Sequence, residues 1–347
     1  MRSVHIVWAA AYGGRHRGSF IPALESVARR ALARGDAFDV VVPDVGPAEW
    51  HAGVRALGGG LHIVPDDGVA AARAVAALRP DVVHAHFHEW LIPVTLRVWP
   101  SRARLIWHIH STFEPSGRPL RITAQRIVKY RVIGARVARF VCVTETIAAE
   151  ARALGAAARR VVVVRNAVDP VRYVPADGAT RAAMRARLGL GDGPAIAFFG
   201  RDPAIKGADV LAAAMADVPG TTVVAVATPD ATVEALRRNA PVIAVPFTDD
   251  VREVLWAVDA VVLPSRGEGM PFVALEALAC GLPVVASDLP WAAELARDEA
   301  AVVLAPRGDP GALAATLRAT LASPPHPAPG DPAALDAWAQ AVLGLYE

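Results

Sequence analysis

Residues 265–287, S-R-G-E-G-M-P-F-V-A-L-E-A-L-A-C-G-L-P-V-V-A-S, read as a glycine-flanked turn, a short helix and a β-branched strand. Pro271 suits the first helical turn and Gly281 its end, the usual placement of these two residues. From Met270 onwards Glu276 is the only charged side chain, set among Phe, Val, Ala, Leu and Cys. A helix so apolar is expected to be buried nearly all round. A carboxylate inside it costs several kcal/mol unless it is hydrogen-bonded or neutralised. Nothing adjacent in sequence does this, so its partner is either distant in the chain or a ligand. Glu268, eight residues earlier, lies in the turn at the mouth of the helix. Backbone N–H groups at the helix start, one carboxylate at the mouth and one inside suit a polyhydroxylated, partly anionic molecule. The plainer alternative is a core helix with one surface glutamate.

Outward from this stretch, the same alternation of helix and strand recurs. Short β-branched or aromatic runs occur at Val4–Ala10, Phe38–Val42, Leu61–Val64, Val82–Phe87, Leu105–His110, Phe140–Val143 and Val161–Val164. Helical patterns such as 19–34, 69–78, 122–137 and 147–154 separate them, with Ser19 a candidate N-cap. A polar, Gly/Asp/Pro-rich stretch at 169–194 interrupts the rhythm. It resumes with Ile196–Phe199, Val223–Val226, Val242–Val245, Val261–Leu263, Val284–Ala286 and Val302–Leu304. Near-continuous apolar strands between helices predict an α/β fold of parallel sheets covered on both faces.

A chain of 347 residues exceeds one comfortable core. The expected organisation is two doubly wound, Rossmann-like domains, residues 1–168 and 169–330, with strand ends facing a shared ligand cleft. A Pro-rich linker, Ser323 to Pro332, leads into a last helix within 331–347. There Leu335, Trp338, Val342 and Leu345 form one apolar stripe that must dock somewhere.

The composition, 54% apolar and 20% charged, is globular and not disordered. No uncharged apolar run approaches the roughly 18 residues of a membrane helix. The first apolar run leads straight into Gly13-Gly14 without a cleavage-type site, as a strand does and a signal peptide does not. Cys142 and Cys280 sit in apolar patterns, as buried reduced thiols do. A cytoplasmic protein, monomeric or weakly dimeric, is expected.

The net charge of +2 conceals an asymmetry. Residues 1–168 carry 23 Lys and Arg against 12 Asp and Glu, a net +11; residues 169–347 carry 13 against 22, a net −9. The basic half meets an anionic partner or transiently a membrane surface, or else the halves face each other through opposite charge. Arginine outnumbers lysine 34 to 2, which singles out Lys129 and Lys206.

Strand Ala195–Phe199 runs into G-R-D-P-A-I-K-G at 200–207 and then a helix. Strand, glycine loop and helix start form a phosphate cradle, to which Arg201 and Lys206 add two positive charges. The spacing is not that of a Walker loop. Gly13-Gly14 makes a second close-approach loop, or merely a turn. Alternation places His84, His86 and His88 on one strand face, and His108 and His110 on another. H-x-H pairs can bind metal, but no Asp, Glu or Cys in ligand spacing accompanies them, so cleft or core histidines are expected and no metal. A cleft histidine at the end of 105–110 suits a polar contact or acid/base group. The seven cations of Arg118–Arg139 spread around their helix, as on a solvated one, although a membrane or anionic-acceptor face is the alternative. No nucleic-acid module and no nucleophile elbow are present, so no nucleic-acid partner is expected.

Six pieces then fall into a familiar order. They are Gly13-Gly14, P-D-V-V-H-A-H at 80–86, W-H-I-H-S at 107–111, V-R-N-A-V-D at 164–169, G-R-D-P-A-I-K-G at 200–207, and 264–287 with its Glu-x7-Glu. Together they resemble retaining glycosyltransferases of the GT-B fold, family four (glycosyltransferase group 1), over nearly the full chain. The last piece is the most specific. The resemblance implies metal-independent transfer of a sugar from a nucleotide diphosphate sugar, whose base is open, to a natural product, lipid or glycan acceptor. It implies an acceptor-side first domain, a donor-side second domain and a final helix crossing back to the first.

Carried over by residue, Glu276 would bind the ribose hydroxyls. Arg201 and Lys206 would hold the diphosphate and stabilise the leaving group, work otherwise done by a metal. Glu268 and the backbone of Gly269, Met270, Pro271, Phe272 and Val273 would position the donor sugar. His110 would stand near the reacting carbon, and Gly13 and Gly14 would approach the phosphates or acceptor. The implied catalytic set is His110, Glu268, Arg201 and Lys206. Arg165 and Ala167 replace the commoner Pro and Gly, Met270-Pro271 replaces Phe-Gly, and His108 is unusual; these departures bear on sugar identity. A non-catalytic nucleotide-sugar-binding partner subunit is the alternative.

Overall fold

The computed structural model describes residues 3–111, 120–248, 250–328 and 330–347. The chain forms two compact units, Met1–Ala167 with Leu335–Glu347, and Val168–Ala334. In the first, strands β1 (His5–Ala10), β2 (Ala37–Pro43), β3 (Gly60–Val64), β4 (Val82–His86), β5 (Arg104–Ile109), β6 (Val137–Cys142) and β7 (Val161–Val163) make one sheet. Its order is β3-β2-β1-β4-β5-β6-β7, parallel throughout. The second unit holds β8 (Ala195–Phe199), β9 (Thr222–Val226), β10 (Val242–Val245), β11 (Ala260–Leu263), β12 (Val284–Ser287) and β13 (Val302–Ala305). Its order is β10-β9-β8-β11-β12-β13, again parallel. Both sheets are Rossmann-like, as the alternation of apolar strands and helices predicts. Each reverses its winding once, between β1 and β4 and between β8 and β11. Beyond the carboxyl ends of those strands lies the crevice in which open α/β sheets take ligands.

The helices depart from expectation in informative ways. Ser19 does not cap the helix Phe20–Ala33, because its own backbone is already helical (φ −90°, ψ −13°) and its side chain makes no capping bond. The helix expected over 122–137 is Leu120–Arg131, followed by a 3₁₀ turn at Ile133–Arg136 and then β6. Gly134 sits against the Phe140 ring, where a Cβ would come within 3.0 Å, so the chain turns there to lay β6 beside β5. Pro271 is the N-cap of the helix Phe272–Ala279 and not its first residue. At the other end Leu282 N donates to Ala277 O and Gly281 N to Leu278 O, both at 2.9 Å, with Gly281 at φ +82°. This is the Schellman ending that glycine permits.

The last helix, Ala334–Gly344, buries Trp338, Ala339, Val342 and Leu343. Beyond its end, Tyr346 receives a 2.7 Å hydrogen bond from Trp8 Nε1, and Arg104 Nε donates to Leu345 O at 3.1 Å. Both cysteines are buried, and burial pushes each thiol up to about 12, which leaves them inert. Among the described residues no helix is long and apolar enough to cross a membrane.

Candidate functional site

In the second unit, the loops after β8 and β11 meet at the switch point. Gly200 follows β8; a Cβ there would fall 2.5 Å from the Thr228 hydroxyl. A one-turn helix, Pro203–Lys206, comes next, and Asp202 caps it by accepting from Ile205 N. The expected phosphate cradle at a helix start is therefore modified: so short a helix, closed by its own carboxylate, offers little dipole. The positive charge of this loop resides in side chains. Arg201 is exposed, with its guanidinium carbon 6.0 Å from the Phe247 ring centroid. Gly207 then reverses the chain at φ +69°, where a Cβ would stand 2.0 Å from the Pro264 carbonyl oxygen. No other residue fits there, and the fit presses the first loop onto the second.

Two contacts tie these loops together. Lys206 Nζ forms an ion pair with Glu268 Oε1, which also accepts from the Ser265 hydroxyl at 3.1 Å. Arg266 grips both oxygens of Asp209 at 2.8 and 2.6 Å and donates to Ala204 O at 2.8 Å. Lys206 and Glu268, expected on diphosphate and sugar respectively, thus hold each other in this structure. Glu276 is 5% exposed, and Tyr173 OH donates to its Oε1 at 3.1 Å. Of the two partners open to Glu276, the chain itself supplies one, from 103 residues upstream. No residue of Phe272–Ala279 is exposed, and Gly269 and Met270 are buried at its mouth while Pro271, Phe272 and Val273 are half-buried.

Sequence reasoning missed Tyr173, Arg266 and Asp209. Tyr173 is positioned by a turn in which Asp169 accepts from Val171 N and Arg172 N. Its signal was the D at the end of V-R-N-A-V-D, an Asx-turn residue that nothing else in that stretch used.

At the first unit's switch point, Gly13 is exposed with open space around it, and Gly14 lies under the Tyr12 ring, 2.8 Å from a Cβ. Across the reversal, Phe87 links β4 to the helix His88–Val98 at φ +65°, ψ 150°. That region is almost closed to side chains and costs about 1–3 kcal/mol. His110, just past β5, is half-buried and stacks on His108 (centroids 4.3 Å, 13°) and Phe87 (4.6 Å, 22°). Its Nε2 lies 3.1 Å from His86 Nδ1. Burial, with the nearby His88 adding to it, pushes His110 down to about 3. This favours the neutral ring, a hydrogen-bonding group, at ordinary pH.

Lys129 also departs from expectation. Instead of lying on a solvated helix face, it is half-buried, 3.4 Å from His88 Nδ1 and 5.5 Å from the Trp107 ring centroid. Burial, with Arg126 nearby, pushes its ammonium down to about 8. The ring face and the imidazole reward turning inward. Arg118 lies outside the described residues.

Models of known families match both parts of the chain. "Glycosyltransferase Family 4" covers residues 12–172, and "Glycosyl transferases group 1" covers 193–323. The chain is 34% identical over 274 residues to a D-inositol 3-phosphate glycosyltransferase of Geodermatophilus obscurus, spanning 70% of this chain and 59% of that protein. To the protein of the same description from Salinispora arenicola it is 31% identical over 316 residues, 78% of this chain and 69% of the other. The match thus spans only about three fifths of the first relative's length. Among solved structures, Anabaena Alr3699/HepE in complex with UDP-glucose superposes with a TM-score of 0.76 at 18% identity, over 98% of this chain and 94% of that one. Its fold is the GT-B pair of Rossmann-like domains.

Proposed function

Because the chain belongs to glycosyltransferase family 4, we propose that it transfers a sugar from a nucleotide diphosphate sugar to an acceptor, with retention of anomeric configuration. The observation that carries this reading is the Lys206–Glu268–Ser265 cluster beside buried Glu276 at the switch point of the second unit. In the proposed reaction the bond from the anomeric carbon to the diphosphate oxygen breaks, the departing nucleoside diphosphate keeps the electron pair, and an acceptor hydroxyl oxygen forms the new bond to the same face of that carbon while its proton passes to the departing diphosphate. Arg201 and Lys206 meet that growing charge, the role a metal fills elsewhere. Donor binding exchanges partners: the diphosphate takes Lys206 from Glu268, and Glu268 turns to the sugar hydroxyls. Glu276, oriented by Tyr173, binds the ribose hydroxyls. The second unit is the donor side and the first the acceptor side. Gly13 and Gly14 let backbone approach a phosphate or acceptor, and neutral His110 offers a hydrogen bond near the reacting carbon. The relatives' description as inositol phosphate glycosyltransferases, and UDP-glucose on the structural neighbour, make a UDP-sugar and a phosphorylated polyol the first substrates to try.

The test is a thermal-shift screen of UDP-, GDP-, dTDP- and ADP-sugars, followed by NMR of the product's anomeric linkage. One donor should stabilise the protein and yield a product of unchanged configuration. Inversion sinks the retaining assignment. Donor binding without any transfer or hydrolysis would make the chain a non-catalytic subunit.

A further inference from the structure

His84 and His86 on β4 and His108 on β5 are wholly buried, with His86 opposite His108 in the parallel register. Each offers a ring nitrogen, and these nitrogens lie within 4.8 Å of one another. Their remaining hydrogen-bonding is unusual. Among the described residues, His84 Nε2, His86 Nε2 and both nitrogens of His108 are buried without a hydrogen-bond partner. The opposite nitrogens of His84 and His86 are engaged, Nδ1 of His84 by Tyr346 OH at 2.7 Å and Nδ1 of His86 by His110 Nε2 at 3.1 Å. An orphaned buried polar atom is costly, and here there are several side by side. In His84 and His86 one ring nitrogen is orphaned and the other engaged, as in metal-ligating histidines whose outer nitrogen is held by a second partner, while in His108 both are orphaned.

We infer that His84, His86 and His108 bind a divalent transition metal ion of the zinc class, resident in the first unit and separate from the donor loops. Three neutral imidazoles suit zinc, copper, nickel or iron, while magnesium and calcium find no oxygen ligands there. The absence of Asp, Glu and Cys, which counted against metal in the sequence, does not exclude a three-histidine site. The ion clips β4 to β5 and, through Tyr346, to the end of the chain. With His86 ligating through Nε2, its Nδ1–H donates to His110 Nε2 and leaves the His110 proton on Nδ1.

The full chain is purified without chelator or metal-affinity resin and its metal content measured by mass spectrometry. It is then stripped with dipicolinate and titrated with Zn²⁺ or Co²⁺. One equivalent per chain is expected, with a thermal midpoint that falls by several degrees on stripping and returns on titration. Cobalt should give the visible ligand-field bands of a nitrogen-coordinated ion. His108→Phe should lose the bands and the equivalent of metal, while its midpoint stays at or above that of the stripped parent. The inference is overturned if the parent binds neither ion, a result that leaves buried water as the partner of the rings. It is equally overturned if His108→Phe binds as the parent does, since the ion then sits elsewhere. Should that variant not fold, the titration of the parent still decides. None of these readouts depends on glycosyl transfer.

Discussion

At the ends of β8 and β11 the side chains are charged and paired across loops: Lys206 with Glu268, Arg266 with Asp209. At β4 and β5, in a sheet wound in the same order, imidazoles pack against Trp8, Phe20 and Phe87, and among the described residues none of His84, His86, His108 and His110 is paired with a carboxylate. The two switch points solve different problems. A charged pair can be opened by an incoming anion, because a new Coulombic partner replaces the old one. A stack of neutral rings has no such exchange; it keeps its geometry by packing and loses it when protonated. The first switch point is therefore held by packing and the second by charge.

The widest separation between the units should come from acid. His84, His86, His88, His108 and His110 all lie below the ordinary 6.5, with His88 at about 4 and His110 at about 3, chiefly through burial. Between those values and 6.5 the unfolded chain binds more protons than the folded one, so stability is intact above pH 6.5 and falls below it. His88 and His110 each cost roughly 1–2 kcal/mol per pH unit in that window, and His84, His86 and His108 act in the same direction. Hydrogen exchange of the metal-stripped chain at pH 7 and pH 5 should show β4 and β5 opening first, with β8 and β11 little changed; equal opening would break the comparison.

The next largest effect is on turnover. Lys206→Ala should lower kcat by about 10²–10³, as removal of a transition-state charge does. Glu268→Gln should instead tighten nucleoside diphosphate binding, because Lys206 is released, while slowing transfer. Calorimetry with the diphosphate product and single-turnover kinetics read both. Glu276→Ala should weaken donor binding by about 10–100-fold, the worth of hydrogen bonds to a charged group. Tyr173→Phe should cost less, because it removes a positioning contact only. The smallest effect belongs to Arg266→Ala, whose partner Asp209 is largely exposed; a change of under about 1 kcal/mol in chemical denaturation is expected.

Which parts of this were legible from residues alone follows their range. All thirteen strands among the described residues can be read from short apolar runs, since strands covered on both faces carry mostly apolar side chains. The Glu276 helix and its glycine ending are local too. The partner of Glu276 was not legible, because Tyr173 reaches it through a turn set by Asp169. Nor was the inward turn of Lys129, which depends on Trp107 and His88 from two other elements. The helix end at Arg131 was misread because the glycine that stops it matters only through the ring of Phe140.

By itself the sequence determined the two parallel sheets, the loops that carry the charges and the family to which the chain belongs, because periodicity and motif spacing are local properties. Only the tertiary structure decided who meets whom: Lys206 with Glu268, Glu276 with Tyr173, and three histidines from neighbouring strands around orphaned nitrogens. Those meetings depend on strand order and register, which bring together residues far apart in the chain. The Glu-x7-Glu stretch names the two carboxylates, but pairing one and burying the other takes both loops of the switch point and the turn after Asp169.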